Sequence, residues 1–322
     1  MTTRPLTMAF VMDPIQAVDV EADTTFVLML EAQKRGHEVL YVDQADLSVG
    51  EEGATALATP VTLRRERGNH VDLAEPRRVV FDESVDVAFQ RKDPPVDAQY
   101  TTATQILTLC ERCLVLNRPE SILAANEKLY SLRFADLMTD TIVTRSPEEI
   151  RAFLAKMGGE MIVKPLDGKG GEGIFHVVKG DRNLSSILEQ ATGFGTTWSM
   201  AQRYLPEVRQ GDKRILLLEG EPIGAVLRVP AADETRANLH VGGRAAKAQL
   251  DEADRRIIER VGPRLRADGL FFVGIDVIGG RLTEVNVTSP TGIQEINTLD
   301  GVCLEAVVID RVEQRVAERA PS

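Results

Sequence analysis

A glycine-rich stretch, KPLDGKGGEGIFHVV at residues 164–178, contains the residue types that bind phosphate groups. Its glycines Gly168, Gly170 and Gly173 satisfy the pattern G-x-G-x-x-G, and Gly171 lies among them. Glycine lacks a Cβ, so its backbone N–H groups can close over phosphate oxygens. Lys164 ends the preceding predicted strand, where its ammonium could reach an α- or β-phosphate. The pattern alone is weak, and a plain glycine-rich hairpin is the alternative.

The elements around this stretch discriminate between the known kinds of phosphate loop. A dinucleotide-binding loop and a Walker loop each open a helix. Here EMIVKPL precedes the glycines and GIFHVV follows them, which predicts a loop between two strands. A protein kinase also covers phosphates with a glycine-rich hairpin, but the sequence contains no H-R-D or D-F-G element. We therefore predict a flexible hairpin flap that closes over nucleotide phosphates.

A candidate metal site lies in FFVGIDVIGGRLTEVNVTSP, residues 271–290, which predicts two strands joined at a pair of glycines. A three-residue turn at 279–281 would pair Ile278 with Leu282 and place Asp276 opposite Glu284. Two facing carboxylates repel unless a cation lies between them. Asn286 shares the face of Glu284, and two carboxylates with an amide suit Mg²⁺. A two-residue turn would put the carboxylates on opposite faces, and a solvated polar face is the alternative.

Basic and amide side chains between the flap and the metal hairpin indicate an anionic ligand, although a solvated surface is the alternative for any one of them. They are Lys213, Arg214, Arg228, Arg236, Asn238 and Arg244. Adjacent residues of a strand point to opposite faces, so only one of Lys213 and Arg214 can enter a site. Arginine presents a planar fork that holds two oxygens at once, which favours Arg214.

The N-terminal elements predict an open α/β domain at the other side of the site. LTMAFVMD and HEVLYVD are typical of buried strands, and a helix is expected between them from Thr24 to Arg35. Ligands of such sheets gather at the carboxyl ends of the strands. Charged side chains that could bind a ligand follow two of these strands. Asp13 follows the first strand, and Arg91 begins the segment RKDPP after a later strand. Turn formation by aspartate and proline is the alternative for both.

Composition excludes several classes of function. The 322 residues carry a net charge of -11, which opposes binding to nucleic acid or to anionic membranes. We expect a cytoplasmic protein, because the sequence shows neither a signal-peptide segment nor an apolar run of membrane-spanning length. Cys110 and Cys113 are interpreted as ordinary thiols rather than a zinc or redox pair, since a zinc site would need a second pair. The histidines are scattered, and His176 is interpreted as structural.

These motifs, taken together, resemble those of a known family. AFVMDPI, RKDPP, NEKL, KPLDGKGGEGIF, MAQRYLP, GDKRILL, GEPIGAVLR and LTEVNVTSPTGI occur in this order over nearly the whole chain. The chain is thereby similar to the ATP-grasp ligases and, within them, to the bacterial glutathione synthetases. The resemblance implies α/β and α+β architecture: an N-terminal α/β substrate-binding domain (1–122), an ATP-grasp small lobe with the flap (123–200) and a C-terminal lobe with the metal hairpin (201–322).

The resemblance also implies roles for individual residues. Binding of ATP is implied for Lys128, Lys164, Gly168, Gly170, Gly171, Gln202, Tyr204, Leu205 and Asp212. Binding of substrate is implied for Asp13, Arg91, Arg236, Asn238, Ser289, Pro290 and Thr291. Catalytic roles are implied for Arg214, Lys164 and Arg228, and binding of Mg²⁺, with Mn²⁺ as a substitute, for Asp276, Glu284 and Asn286. His240 departs from the small residue that relatives more often carry.

The implied reaction is ligation of γ-glutamylcysteine and glycine in a homotetrameric enzyme. ATP would convert a carboxylate into an acyl phosphate, and the amine of glycine would then attack it. No side-chain nucleophile is needed, which agrees with a sequence that offers no catalytic triad. Two alternatives are another carboxylate-amine ligase, such as a D-alanine:D-alanine or glutamate-adding enzyme, and a non-catalytic ATP-binding regulator of the synapsin kind.

Overall fold

The computed structural model describes residues 4–168, 170–231 and 242–319. Its N-terminal part is built on one mixed sheet with helices packed against it. The strands are β1 (Thr7–Met12), β2 (Glu38–Asp43), β3 (Leu47–Gly50), β4 (Gly53–Leu63), β5 (Val71–Leu73), β6 (Arg77–Val80), β7 (Val87–Gln90) and β8 (Leu114–Leu116). The helices are α1 (Thr24–Lys34), α2 (Phe81–Ser84), α3 (Ala98–Leu107) and α4 (Pro119–Ala124).

The centre of this sheet is parallel, as the β-α-β prediction requires. β1 pairs in parallel with β2 and with β7, and β7 with β8. The predicted helix is confirmed as α1: the Asp23 side chain accepts a hydrogen bond from the backbone N–H of Phe26 at 2.6 Å, and Gly36 follows the helix with φ +82°. The parallel order brings the carboxyl ends of β1 and β7 to one edge, next to Asp13 and Arg91.

The small lobe carries the glycine-rich stretch on an antiparallel sheet of order β11-β10-β12-β9. Its strands are β9 (Thr141–Thr144), β10 (Glu160–Pro165), β11 (Phe175–Val178) and β12 (Ser199–Arg203), and its helices are α6 (Pro147–Lys156) and α7 (Leu184–Ala191). The short helix α5 (Glu127–Ser131) precedes them in the chain but packs against the C-terminal lobe, with Tyr130 in the apolar cluster of that lobe. β10 and β11 pair from Glu160↔Val178 to Val163↔Phe175, which confirms that the glycines lie in a hairpin loop. β12 lies between β10 and β9, so it is not an edge strand.

The C-terminal lobe is an antiparallel sheet of order β15-β14-β13-β16-β17. Its strands are β13 (Asp212–Leu218), β14 (Glu221–Val229), β15 (Arg244–Lys247), β16 (Phe272–Ile278) and β17 (Arg281–Asn286), and its helices are α8 (Glu252–Ala267), α9 (Ile293–Asp300) and α10 (Leu304–Arg319). The prediction of two strands around the paired glycines is confirmed by β16 and β17.

The turn between β16 and β17 differs from the three-residue prediction. Ile278 pairs with Arg281 rather than with Leu282, so the turn contains only Gly279 and Gly280. A β-bulge then inserts Thr283 into β17, and the pairing resumes with Asp276 opposite Glu284. The bulge adds the one residue that the shorter turn lacks, so both carboxylates reach the same face although the predicted turn was wrong.

The last helix, α10, packs against α1 of the N-terminal part as well as against α9 and β14 of its own lobe. Arg35 donates to Asp310 Oδ1 at 2.6 Å, and His37 Nε2 lies 2.9 Å from Glu313 Oε1. One buried apolar cluster continues from β1 and α1 through β13 to α10. Residues 304–319, predicted as part of the C-terminal lobe, therefore also complete the core of the first domain. No helix in the described ranges is both long and apolar enough to cross a membrane.

Candidate active site

A cavity of about 850 Å³ lies where the N-terminal part and the two lobes meet. Most of the residues singled out in the sequence line it. They are Asp13, Arg91, Lys128, Lys164, Gly168, Gly170, Gly171, Gln202, Tyr204, Leu205, Asp212, Arg214, Arg228, Asp276, Glu284, Asn286, Ser289 and Thr291. Pro290 is not part of the lining, and Arg236, Asn238 and His240 lie outside the described residues.

Two lysines meet at the base of the flap. Lys128, on α5, donates to the carbonyl of Gly168 at 2.9 Å and lies 3.0 Å from Glu284 Oε1. Lys164, on β10, donates to the carbonyl of Thr283 at 3.4 Å, so the bulge residue supplies a backbone oxygen to the site. Burial lowers the pKa of Lys164, although nearby Glu284 opposes this shift. Both ammonium groups are held close to the flap in a largely desolvated place.

The flap uses glycine where other residues would be strained or would collide. Gly170 and Gly171 adopt φ values of +61° and +87°, in the region that L-residues rarely occupy. A Cβ on Gly168 would lie 2.8 Å from the ring carbon Cγ of Pro165, so this position also excludes a side chain. The flap backbone can therefore approach a ligand without side chains in between.

The segment after β12 forms another wall of the cavity. Gln202 donates from its amide to Thr141 Oγ1 at 3.0 Å, which fixes its side chain. The ring of Tyr204 stacks on His176 with centroids 4.2 Å apart, and His176 Nε2 lies 2.9 Å from Glu160 Oε1. His176 was interpreted as structural, and it supports a cavity residue by this stacking. Its alternation with apolar neighbours gave no signal of that contact.

A chain of charged groups runs across β13, β14 and β16. Arg214 binds Asp276 through two hydrogen bonds of 2.8 Å, from Nε to Oδ1 and from Nη2 to Oδ2. Arg228 Nη2 lies 2.6 Å from Asp212 Oδ2 and 3.0 Å from Asp276 Oδ2. Burial opposes the ionisation of Asp276, but the two guanidinium groups outweigh it and hold the pKa of this carboxyl well below its ordinary value. Burial raises the pKa of Asp212 to about 6, despite the attraction of Arg228.

Lys213 lies on the opposite face of β13 from Arg214. Its ammonium donates to Asp251 Oδ2 at 3.1 Å and to Asp254 Oδ2, at the start of α8. Strand alternation therefore brings Arg214 and not Lys213 into the cavity, in the arrangement that the sequence predicts.

Each carboxylate of the hairpin is paired with basic side chains of the chain itself, which sequence reasoning did not anticipate. Asp276 is paired with two arginines and Glu284 with Lys128. Burial opposes the ionisation of Glu284, but Lys128 and Lys164 keep its pKa lowered. Asn286 donates from Nδ2 to the carbonyl of Gly274 at 3.2 Å and to Asp276 Oδ2 at 3.3 Å. In residues 4–168, 170–231 and 242–319, no group of three or more His, Cys, Asp or Glu side chains could hold a metal ion.

The N-terminal wall contains one buried guanidinium. Arg91 donates from Nε to Thr25 Oγ1 at 3.0 Å and from Nη2 to the carbonyl of Pro290 at 2.9 Å, and it stacks over Phe272. Pro290 thus positions Arg91 rather than lining the cavity. Asp13, which also lines it, is held by Lys92 Nζ at 2.8 Å and by the backbone N–H of Asp93 at 2.9 Å.

Two further residues that connect the parts of the site were missed. Asn117, after β8, donates to the carbonyls of Phe272 at 3.0 Å and Val287 at 2.7 Å and accepts from the backbone N–H of Phe272 at 2.7 Å. Glu127, beside Lys128, accepts from the backbone beyond β17. A single sequence gives no signal for such bridges, because their partners lie 155 to 170 positions away.

Comparisons with known proteins agree with this geometry. Residues 6–122 match the model of the prokaryotic glutathione synthetase N-terminal domain, and residues 127–301 match the ATP-grasp domain of the same family. The chain is 48% identical over 308 residues to a glutathione synthetase of Gloeobacter violaceus, covering 94% of each chain. It is 42% identical to a glutathione synthetase of Salmonella typhi, covering 97% of this chain and 99% of the other.

Solved structures show the same architecture at low sequence identity. A D-cycloserine synthetase superposes with a TM-score of 0.67 at 15% identity, covering 96% of this chain and 99% of the other. An ATP-grasp RimK domain protein from Sphaerobacter thermophilus gives 0.63 at 16% identity, covering 94% and 98%. With both family models matched over most of its length, the chain is an ATP-dependent ligase that belongs to the prokaryotic glutathione synthetase family.

Proposed function

We propose that the chain is a glutathione synthase, which joins γ-glutamylcysteine and glycine at the expense of ATP. The γ-phosphoryl group passes to the glycyl-accepting carboxylate of γ-glutamylcysteine, giving an acyl phosphate and ADP. The amine of glycine attacks the acyl carbon, and phosphate leaves. The observation that carries this proposal is the single cavity that unites the flap, Lys128, Lys164 and the Arg214–Asp276 pair with Arg91 of the first domain.

The phosphate end of ATP is proposed to lie under the flap. Lys128 and Lys164 converge there from different elements, and glycines 168, 170 and 171 leave backbone exposed to the ligand. Gln202, Tyr204 and Leu205, together with Asp212, would hold the nucleoside end. These contacts neutralise and orient the phosphoryl groups, which is the main demand of phosphoryl transfer.

We propose Mg²⁺, with Mn²⁺ as an alternative, as the divalent metal that accompanies ATP. The donor chemistry fits, because Asp276, Glu284 and Asn286 offer oxygen ligands from adjacent strands and such ions take further oxygens from water and phosphate. When bound, the metal would neutralise charge on the transferring phosphoryl group. The arginines and Lys128 keep both carboxylates ionised until then.

Arg214 and Arg228 are proposed to stabilise negative charge on the acyl phosphate and on the tetrahedral intermediate. Both guanidinium groups line the cavity and are already oriented by Asp276 and Asp212. Donors fixed before the reaction cost no reorganisation when charge develops. Lys164 would assist at the phosphoryl end.

Arg91, Asp13, Ser289 and Thr291 are proposed to bind γ-glutamylcysteine and glycine. Arg91 is buried and fixed by Thr25 and Pro290, so its remaining N–H groups can bind a substrate carboxylate. Pro290, Arg236 and Asn238, to which the family likeness also gives substrate roles, would act from the neighbouring loops. The same likeness supports a homotetramer, and the proposed cytoplasmic location rests on the expectation from the sequence alone.

A coupled assay of ADP release tests this function. We expect ADP to form only when γ-glutamylcysteine, glycine and Mg²⁺ are all present, with each omitted in turn as the control. Stoichiometric appearance of the tripeptide by mass spectrometry identifies the product. ADP release with D-alanine alone or with glutamate as the acceptor would assign the chain to another ligase reaction. ATP binding without any substrate-dependent ADP release would show a non-catalytic regulator.

A further inference from the structure

Glu127 lies where the helix that carries Lys128 meets the strand that carries two of the proposed metal ligands, Glu284 and Asn286. Its Oε1 accepts three hydrogen bonds: from the backbone N–H of Val287 at 2.8 Å, from that of Thr288 at 3.0 Å and from Thr288 Oγ1 at 2.8 Å. Val287 and Thr288 follow directly on β17. One carboxylate therefore fixes the position at which this strand leaves the sheet.

The residues on each side of Glu127 hold two other parts of the cavity. Asn126 donates from Nδ2 to the carbonyl of Leu166 at 3.1 Å, at the entrance of the flap. Lys128 reaches the carbonyl of Gly168 and the carboxylate of Glu284. Three consecutive residues thus connect the flap, the metal hairpin and the segment after it, and Glu127 is the member that fixes α5 to the end of β17.

A partner at this place is needed for physical reasons. Both N–H groups belong to a buried stretch that has left the sheet, so they lack ladder partners and depend on a side chain. Three hydrogen bonds that converge on one side-chain oxygen restrict both the backbone that donates them and the side chain that accepts them. Without these hydrogen bonds, Glu127 no longer fixes the position of Lys128 relative to Glu284 and Asn286.

We propose that Glu127 is a positioning residue that aligns the metal-binding end of β17 with Lys128 and the base of the flap. The inference rests on the proposed function, because it concerns the alignment of the same phosphoryl-transfer site. Glu127 acts through Val287 and Thr288, and it is not itself assigned a contact with substrate.

The test compares removal of the carboxylate with a matched removal elsewhere. Asp82 also accepts three backbone hydrogen bonds, from Glu111, Arg112 and Cys113 at 2.9 Å each, but in the N-terminal part away from the cavity. Glu127→Ala and Asp82→Ala should therefore both lower the melting temperature. Only Glu127→Ala is expected to raise the Mg²⁺ concentration that gives half-maximal thermal stabilisation by ADP. The expected increase is roughly tenfold or more, because mutation of residues that support metal ligands typically weakens metal binding by that factor.

Kinetics and a conservative variant provide a second readout. Glu127→Ala is expected to lower kcat more than it raises the KM for ATP, since alignment rather than nucleotide contact is lost. Glu127→Gln keeps an amide oxygen that can accept from the same N–H groups, so it should recover most of the metal dependence. Equal losses in Gln and Ala would overturn the proposal, because charge rather than these hydrogen bonds would then matter.

Other outcomes are equally decisive. If Glu127→Ala resembles Asp82→Ala in metal dependence and kcat, Glu127 is only structural and the proposal fails. Should Glu127→Ala not fold, Thr288→Val removes one of the three donors, and an unchanged Mg²⁺ dependence of that variant also rejects the proposal. Failure of the proposed function is distinct, because wild-type protein would then form no ADP with γ-glutamylcysteine and glycine, whereas the thermal-shift comparison needs only Mg²⁺ and ADP.

Discussion

Single residues in the cavity are ordered by charge pairing across neighbouring strands. Arg214 is held by Asp276 in a two-point contact, whereas the adjacent Lys213 is turned to Asp251 and Asp254 outside. This difference could be predicted from the sequence, because strand alternation requires that only one of two neighbours faces inward. The partners could not, since Asp276 lies 62 positions further along the chain.

Arg214→Lys is expected to lower kcat strongly while ATP affinity remains nearly intact. Loss of a donor aimed at transition-state charge typically costs about 3 kcal/mol, roughly a hundredfold in rate, and lysine cannot reproduce the two-point fork. Lys213→Ala is the matched control, and it should reduce stability through its ion pairs but leave kcat close to wild type. Steady-state kinetics at saturating substrates measure both, and the reverse ranking would contradict the assigned inward face.

We expect Asp212 to make the stability of the ligand-free protein depend on pH. Its folded pKa of about 6 lies above the ordinary value of 3.8, so the folded state binds its proton more tightly than the unfolded state. Stability from this group is present below about pH 4 and is lost as the pH rises through about 6. Asp212→Asn should therefore reduce the change of the unfolding free energy with pH between these pH values, as measured by urea titrations at several pH values. An unchanged slope in the variant would show that the carboxyl titrates normally.

At the scale of elements, the flap depends on the backbone conformations of its glycines. The sequence shows where the glycines are, but only the structure shows which of them have positive φ angles. Gly170→Val should strain the loop, because φ is +61° there and a β-branched residue avoids this region. We expect ATP to lose its protection of the flap against proteolysis. Gly180→Val is the control, since Gly180 also has a positive φ of +91° but lies beyond β11, with open space around it. Equal protection by ATP in both variants would reject the flap assignment.

Elements with strong local signals could be predicted, and those fixed by distant partners could not. The helix α1 begins at an aspartate cap and ends before a glycine, and the β10–β11 hairpin follows from apolar runs around glycines. The ribbon of β3 to β6 and the contacts of Asn117 gave no comparable pattern. In the metal hairpin the facing carboxylates could be predicted, but their register depends on Thr283, whose bulge has no signature in a single sequence.

At the scale of the whole molecule, the first domain and the C-terminal lobe share one apolar core, whereas the small lobe has its own. Ile309 of α10 is fully buried in the shared core, and Ile309→Ala should lower the free energy of unfolding by about 2–5 kcal/mol. Val307→Ala, at a site 42% exposed on the same helix, is the control and should change it by less than about 0.5 kcal/mol.

Two probes locate this effect within the molecule. Circular dichroism follows all elements, whereas Trp198, the single tryptophan, reports on the small lobe. The Ile309→Ala shift should be larger by circular dichroism than by tryptophan fluorescence, because α10 has no part in the small-lobe core. Identical shifts would mean that the lobes unfold as one unit.

The bulge at Thr283 separates the length of the turn from the register of the metal hairpin. Between Ile278 and Asp276, three residues of β16 face four of β17, and Thr283 is the extra one. Deleting Thr283 should leave Asp276 opposite Glu284 in an unbroken ladder, but it removes the residue whose carbonyl accepts from Lys164. Keeping Thr283 without a bulge would instead place it opposite Asp276 and turn Glu284 to the other face of the sheet. Related chains can therefore exchange a two-residue turn with a bulge for a three-residue turn without one, and the same oxygen atoms still face the same cavity.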